Sequence, residues 1–215
     1  MVTWTQPPAA GAFLLREVGR FASRVSGVLA AGQQVLPGTV LGKVLLGGAT
    51  TDATGNTGNG TITMDATNPV RKGAKVGDYK ATCIAAAANG GTFRVQDPEG
   101  FVLGDVAVGE TFDNGVKFAI ADGGTDFIVG DKFTITVASG SGNYTALAPN
   151  AEDGSQVAAG VSFYTVYASA GAQPCVAIAR DAELIADELI WPVGITSGEK
   201  SAAIQTLRTL GLLAQ

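Results

Sequence analysis

The sequence predicts a mainly β fold: a small β-rich domain with a C-terminal helix, interrupted by an antiparallel β-sandwich (Ig-like) insertion. Three observations carry this. Glycine occurs 30 times in 215 residues and charged residues make up only 15%, which suits turn-rich β structure better than helix. Between residues 61 and 138, short alternating apolar runs recur at a spacing of roughly 8–12 residues, the rhythm of a sandwich or small barrel. Two polar, Gly-rich stretches, 47–60 and 139–143, bracket that region. Glycine and small polar residues bury little, so each stretch reads as a linker or long loop. The boundaries follow: 1–50 and 146–215 form a discontinuous parent domain, and 51–145 is the insertion. Removing the insertion leaves 120 residues, a normal domain size.

The elements can be justified in order. Residues 1–12 contain Pro7-Pro8 and read as an extended arm that needs a partner to become ordered. In the segment from Phe13 to Val28, Arg16, Arg20 and Arg24 recur every four residues, a spacing that forms one helical face or a basic patch. Val35-Leu36-Pro37-Gly38 is a turn, and Thr39–Leu45 a strand. In the insertion, strands are expected at Thr61–Met64, Gly77–Ile84, Thr92–Val95, Phe101–Leu103, Val106–Val108, Val116–Ile120 and Asp131–Val137. They are separated by the turn signals Asn89-Gly90-Gly91, Asp97-Pro98-Glu99-Gly100, Asp113-Asn114-Gly115 and Asp122-Gly123-Gly124. Val161–Tyr167 and Pro174–Ala179 read as strands of the parent domain. The last element is a helix: Thr196 caps it with Glu199 three residues on, Ala203, Ile204, Leu207 and Leu210 form its apolar stripe, and Gly211 ends it.

Composition excludes several chemistries. There is no histidine, which rules out His-dependent triads, His-ligated zinc and a histidine pH switch. The net charge of −5 argues against nucleic acid as a direct partner. The charge is uneven: 1–48 is net +3, whereas 51–145 carries 7 basic and 11 acidic residues. Cys83 and Cys175 read as two buried small hydrophobes. No membrane span is expected, since the uncharged run from Gly154 to Ala179 is broken by Gly160, Gly171, Gln173 and Pro174. No secretion signal is read at the N-terminus, which implies synthesis in a cytoplasm. Gly38–Lys43 nearly matches a P-loop, but it is one residue short and Val44 stands where a magnesium-binding hydroxyl is needed. Ser197-Gly-Glu-Lys200 matches the S-x-x-K of serine acyl-enzymes without that site's companion motifs. Asp122/Asp126 and Asp97/Glu99 lie in Gly/Pro turns, where aspartate serves the turn. No active site, cofactor or metal site is expected.

The flanks resemble the lambda-type tailed-phage head decoration proteins. In the N-terminal part the residues are Gly11-Ala12-Phe13-Leu14-Leu15-Arg16-Glu17, Ser23-Arg24 and Leu36–Val44. In the C-terminal part they are Ala168, Val176–Glu183, Leu189-Ile190-Trp191-Pro192, Gly194-Ile195-Thr196, Lys200, Ala203-Ile204, Leu207 and Leu210-Gly211. Residues 51–145 resemble β-sandwich insertions of some longer decoration proteins. The resemblance implies a structural protein, not an enzyme, that is made in the host bacterial cytoplasm and sits on the capsid exterior of the virion. It implies a homotrimer at local three-fold positions, bound to the major capsid protein of the expanded shell, which it stabilises against internal DNA pressure. The arm residues Val2, Trp4, Phe13, Leu14 and Leu15 are then expected to touch the shell, by adding a strand to an exposed edge there. Arg16, Arg20, Arg24, Trp191 and Pro192 are expected at the trimer or shell interface. A second reading makes the insertion a virion-displayed adhesion or carbohydrate-binding module, with Tyr79, Phe101 and Phe127 as exposed aromatics.

Overall fold

The computed structural model describes residues 8–215, so the arm residues Val2 and Trp4 lie outside the described residues. The chain divides into two compact units. One takes the chain up to Val44 and again from Gly142 to its end; the other is Leu45–Ser141. The chain crosses between them at two points that lie side by side. Val44 N–H donates to Asn143 O at 3.0 Å, and Gly142 N–H donates to Val44 O at 2.8 Å.

The unit Leu45–Ser141 is a sandwich of two antiparallel sheets. The larger sheet has five strands in the order Leu46–Asp52, Lys132–Ser139, Gly77–Ala87, Gly90–Gln96, Val102–Ala107. The smaller has three, Thr111–Asn114, Val116–Ala121 and Thr61–Met64. Strict alternation sets which face is buried: Phe133, Ile135 and Val137 point inward from one strand, Val116, Phe118 and Ile120 from another. Phe93, Phe127 and Phe133 meet at the centre, with ring centroids 5.0–5.7 Å apart. Each such ring removed from water contributes about 2 kcal/mol.

The first Gly-rich stretch is not a linker. Leu46–Asp52 is an edge strand in register with Lys132–Ser139, Thr51 opposite Ile135. Backbone pairing needs no large side chain at the edge, so composition hides this strand. Residues 53–60 are also part of the fold. Asp131, itself buried, accepts the N–H groups of Thr57 and Gly58 at 2.9 Å each. Gly58 and Gly60 lie flat on Phe127, where a Cβ would come within 2.6 and 2.3 Å of the ring. Only glycine permits that approach.

The split unit is built on a closed five-stranded barrel: Tyr144–Ala146, Arg24–Leu29, Gln173–Ile178, Gly160–Ser162 and Val40–Lys43. Beside it lies a three-stranded sheet of Leu14–Glu17, Ala182–Leu184 and Leu212–Ala214, its last pair parallel. The final helix, Ser197–Thr209, has the expected capping box and buries Ala203 and Leu207. Gly211 follows at φ 77°, a left-handed turn that feeds the chain into the last strand.

Two sequence expectations fail in this unit. Arg16, Arg20 and Arg24 do not share a helical face: they fall on a strand, a four-residue helix (Arg20–Ser23) and a second strand. Gly19 precedes the helix in extended backbone, and strand pairing on both sides outweighs a helix too short to sustain itself. The arm is not extended throughout. Residues 10–13 form a turn, with Ala12 N–H on Ala9 O and Leu14 N–H on Gly11 O.

Candidate interaction surface

Among the described residues, no three His, Cys, Asp or Glu side chains gather as a metal site would require. Ser197 opens the final helix, and Lys200 places its ammonium 5.3 Å from the Trp191 ring rather than serving a nucleophile. Gly38, at φ 90°, turns the chain into the strand Val40–Lys43. Cys83 and Cys175 are buried and free, and burial pushes both thiols up. Asp97 lies in its turn, accepting from Glu99 and Phe101 N–H and pairing with Lys75 at 2.7 Å.

The anticipated interface residues separate into three groups. The first belongs to the core. Phe13 is only 1% exposed and packs edge-on against Phe163, centroids 6.5 Å apart. It fills the interior of its own unit, so it is not an arm contact; an apolar side chain next to a strand is claimed by the nearest core first. Arg24 is likewise internal bracing. Its guanidinium donates to both carboxylate oxygens of Glu17, at 3.0 and 2.7 Å, and stacks 3.8 Å over the Phe163 ring. The Arg24 hydrogen bonds hold the Glu17 carboxyl below its ordinary range, and the same bonds raise Arg24. A cation held this way on two sides is committed within the chain.

The second group is exposed. Leu14 is half-buried opposite Leu184, whereas Leu15 points outward and is 58% exposed. Arg16 is exposed and only 4.0 Å from Glu183, its cross-strand neighbour, a weak surface pair. Arg20 is exposed beside the Phe21 ring, 6.0 Å from its centroid. Leu14, Leu15 and Arg16 lie along the strand Leu14–Glu17, and Arg20 opens the short helix that follows it. A small groove of about 170 Å³ there is lined by Arg16, Val18, Glu183 and Leu213.

The third group is Trp191 and Pro192. They line a separate groove of about 370 Å³ with Leu36, Thr39 and Ile190, and none of the three arginines reaches it. The Trp191 indole N–H is buried without a hydrogen-bond partner, and Val193 beside it is fully exposed.

Sequence reading missed the most exposed aromatic among the described residues. Phe21 is 91% exposed, and Val18 before it is 74% exposed. The local pattern gave no warning, since Val18 and Val25 stand at helix spacing from Phe21; its exposure follows from a helix only four residues long. The insertion's anticipated aromatic platform is not present. Tyr79 and Phe127 are each 1% exposed, because both point inward in the sandwich; Phe101 alone lies on the surface, under the Lys75 ammonium.

A family model described as bacteriophage lambda head decoration protein D matches residues 3–212. No curated protein matches. Two crystal structures of Xanthomonas campestris FlgL align at 26% and 24% identity, over 52% of this chain and 33% of theirs. The chain thus spans about a third of their length, and TM-scores of 0.30 and 0.29 carry no structural argument.

Proposed function

We propose, from the premise that this chain belongs to the bacteriophage lambda head decoration protein D family, that it binds the expanded shell as a homotrimer at three-fold sites and stabilises it against the pressure of packaged DNA. The family is one of structural capsid components, not enzymes, and membership implies a place in the virion head, on the capsid. The observation that carries the reading is that the family match spans both segments of the split unit, the same unit that leaves apolar side chains in water around its N-terminal strand. A surface of that kind marks a contact site. The partner assigned to it is the major capsid protein, contacted by the arm and by the strand Leu14–Glu17, which lies at a sheet edge and is open to pairing.

The test is cryo-EM of expanded, undecorated heads of the encoding phage after incubation with the purified protein. Three copies are expected at each three-fold site, together with heads that survive higher temperature before releasing DNA. Empty three-fold sites, or decorated heads no more heat-resistant than bare ones, would overturn the reading. Removal of residues 2–12 is expected to abolish binding while the protein stays folded; undiminished occupancy would remove the arm from the account.

A further inference from the structure

Phe21 is a ring held out in water on a firm base. Leaving a phenylalanine exposed forgoes the free energy of burying its ring. The backbone beneath it is tied on several sides. Ala22 and Ser23 N–H donate to Gly19 O at 2.9 and 2.8 Å, and Ser23 Oγ donates to Asp181 O at 2.9 Å. The Arg180 guanidinium donates to Ala22 O at 2.5 Å. The ring therefore projects from a braced corner, and little ordering entropy remains to be lost when it is covered.

Its surroundings indicate what covers it. Arg20 lies beside the ring and Arg180 is bonded to the carbonyl of the next residue, Ala22; neither has a carboxylate within ion-pair distance among the described residues, although Arg20 is close enough to help lower Glu17. Arg16, Arg20, Arg24 and Arg180 stand against Glu17, Asp181 and Glu183 here, a small positive excess in a chain of net charge −5. Val18 and Leu15, both exposed, continue the apolar surface along the strand that leads back to the arm. Aromatic and arginine side chains together are the composition of interface hot spots. A second copy docked patch to patch would set these cations against each other, which disfavours a two-fold self-contact.

We propose that Phe21, with Arg20 and Arg180 beside it, is a docking anchor of the split unit: the ring enters an apolar pocket with an acidic rim on the shell protein. This rests on the capsid-binding reading above and adds to it the surface used and the chemistry of its partner. Phe21 fills the pocket and sets the residence time, and the two arginines steer approach to the rim.

The experiment measures binding of the full-length protein to expanded heads by co-sedimentation over a range of salt. Phe21→Ala is expected to bind at least about tenfold more weakly, with an unchanged unfolding midpoint because the ring supports no core. Arg20→Ala with Arg180→Ala is expected to weaken binding at low salt and to flatten its salt dependence. Phe101→Ala, an exposed phenylalanine of the other unit, is expected to bind as wild type. Wild-type affinity in Phe21→Ala, or an equal loss in Phe101→Ala, would overturn the anchor and leave the capsid reading intact. Failure of the wild-type protein to bind would overturn both. A change of oligomeric mass in Phe21→Ala, measured by light scattering of the free protein, would assign the ring to a copy of this chain and overturn the shell assignment.

Discussion

The two units treat their aromatic residues in opposite ways. In Leu45–Ser141 the rings of Phe93, Phe127, Phe133, Phe112, Phe118 and Tyr79 gather in one core between two regular sheets, and only Phe101 faces water. The split unit has shorter strands and two smaller cores, and it leaves Phe21, Tyr164 and Tyr167 exposed. The sandwich encloses its rings, although aliphatic side chains such as Val102, Ile128 and Val129 still face water. A barrel that leaves rings outside retains binding energy for something else. The difference lies in the rings: the interrupted unit leaves three of them in water and the inserted unit one.

Several measurements can break or sharpen that contrast. The largest effect is expected from Phe133→Ala, which opens a cavity at the centre of the sandwich and should cost about 3–5 kcal/mol. Calorimetry should show the transition of the inserted unit falling alone, and a parallel fall of the other transition would mean the units are not separate. Asp131→Asn comes next. It weakens the hold on Thr57, Gly58 and Ile128 N–H and should cost about 1–3 kcal/mol in the same unit, read from denaturant midpoints. Arg24→Lys should cost about 1 kcal/mol in the split unit only, because an ammonium cannot keep both the two-point bond to Glu17 and the stack on Phe163.

The smallest effect is the acid response. Backbone N–H groups of Asn68 and Thr67 and the Lys117 ammonium hold Asp65 at about 2. Burial pushes Asp131 up, but three backbone N–H donors outweigh it and leave the carboxyl below its ordinary range; Asp97 and Asp105 are lowered chiefly by Lys75 and Arg94. A carboxyl lowered by folding adds stability above its unfolded value of roughly 4, and that stability is lost as pH falls through the folded value. More of these carboxyls lie in the inserted unit than in the split one, where Glu17 and Glu199 are lowered. The inserted unit should therefore loosen first on acidification. Both tryptophans, Trp4 and Trp191, lie outside it, so far-UV circular dichroism should change before tryptophan emission does.

Legibility in the sequence followed the range of the interaction. The capping box Thr196–Glu199 and the alternation Phe133-Thr134-Ile135-Thr136-Val137 are local and could be read directly. The strand Leu46–Asp52 could not, since its identity comes from pairing with residues more than eighty positions away. Phe127 sits in a loop with no period, and only Gly58 and Gly60 beneath it betray its burial. The parallel pairings of Leu29 with Tyr144 and of Ala182–Leu184 with Leu212–Ala214 have no turn to announce them. At the candidate surface, the arginine spacing was visible, but which arginine is free depends on Glu17 and Phe163, which reach Arg24 from other elements.

Because Val44 and Gly142 are already hydrogen-bonded neighbours, the insertion can be removed at its tether. Replacing Leu45–Ser141 by a two-residue Asn-Gly turn should leave the barrel closed. The central claim is that this shortened chain, folded by circular dichroism and calorimetry, occupies expanded heads as fully as the whole protein does. A folded short form that leaves the heads bare would place the binding surface in the insertion and contradict the account.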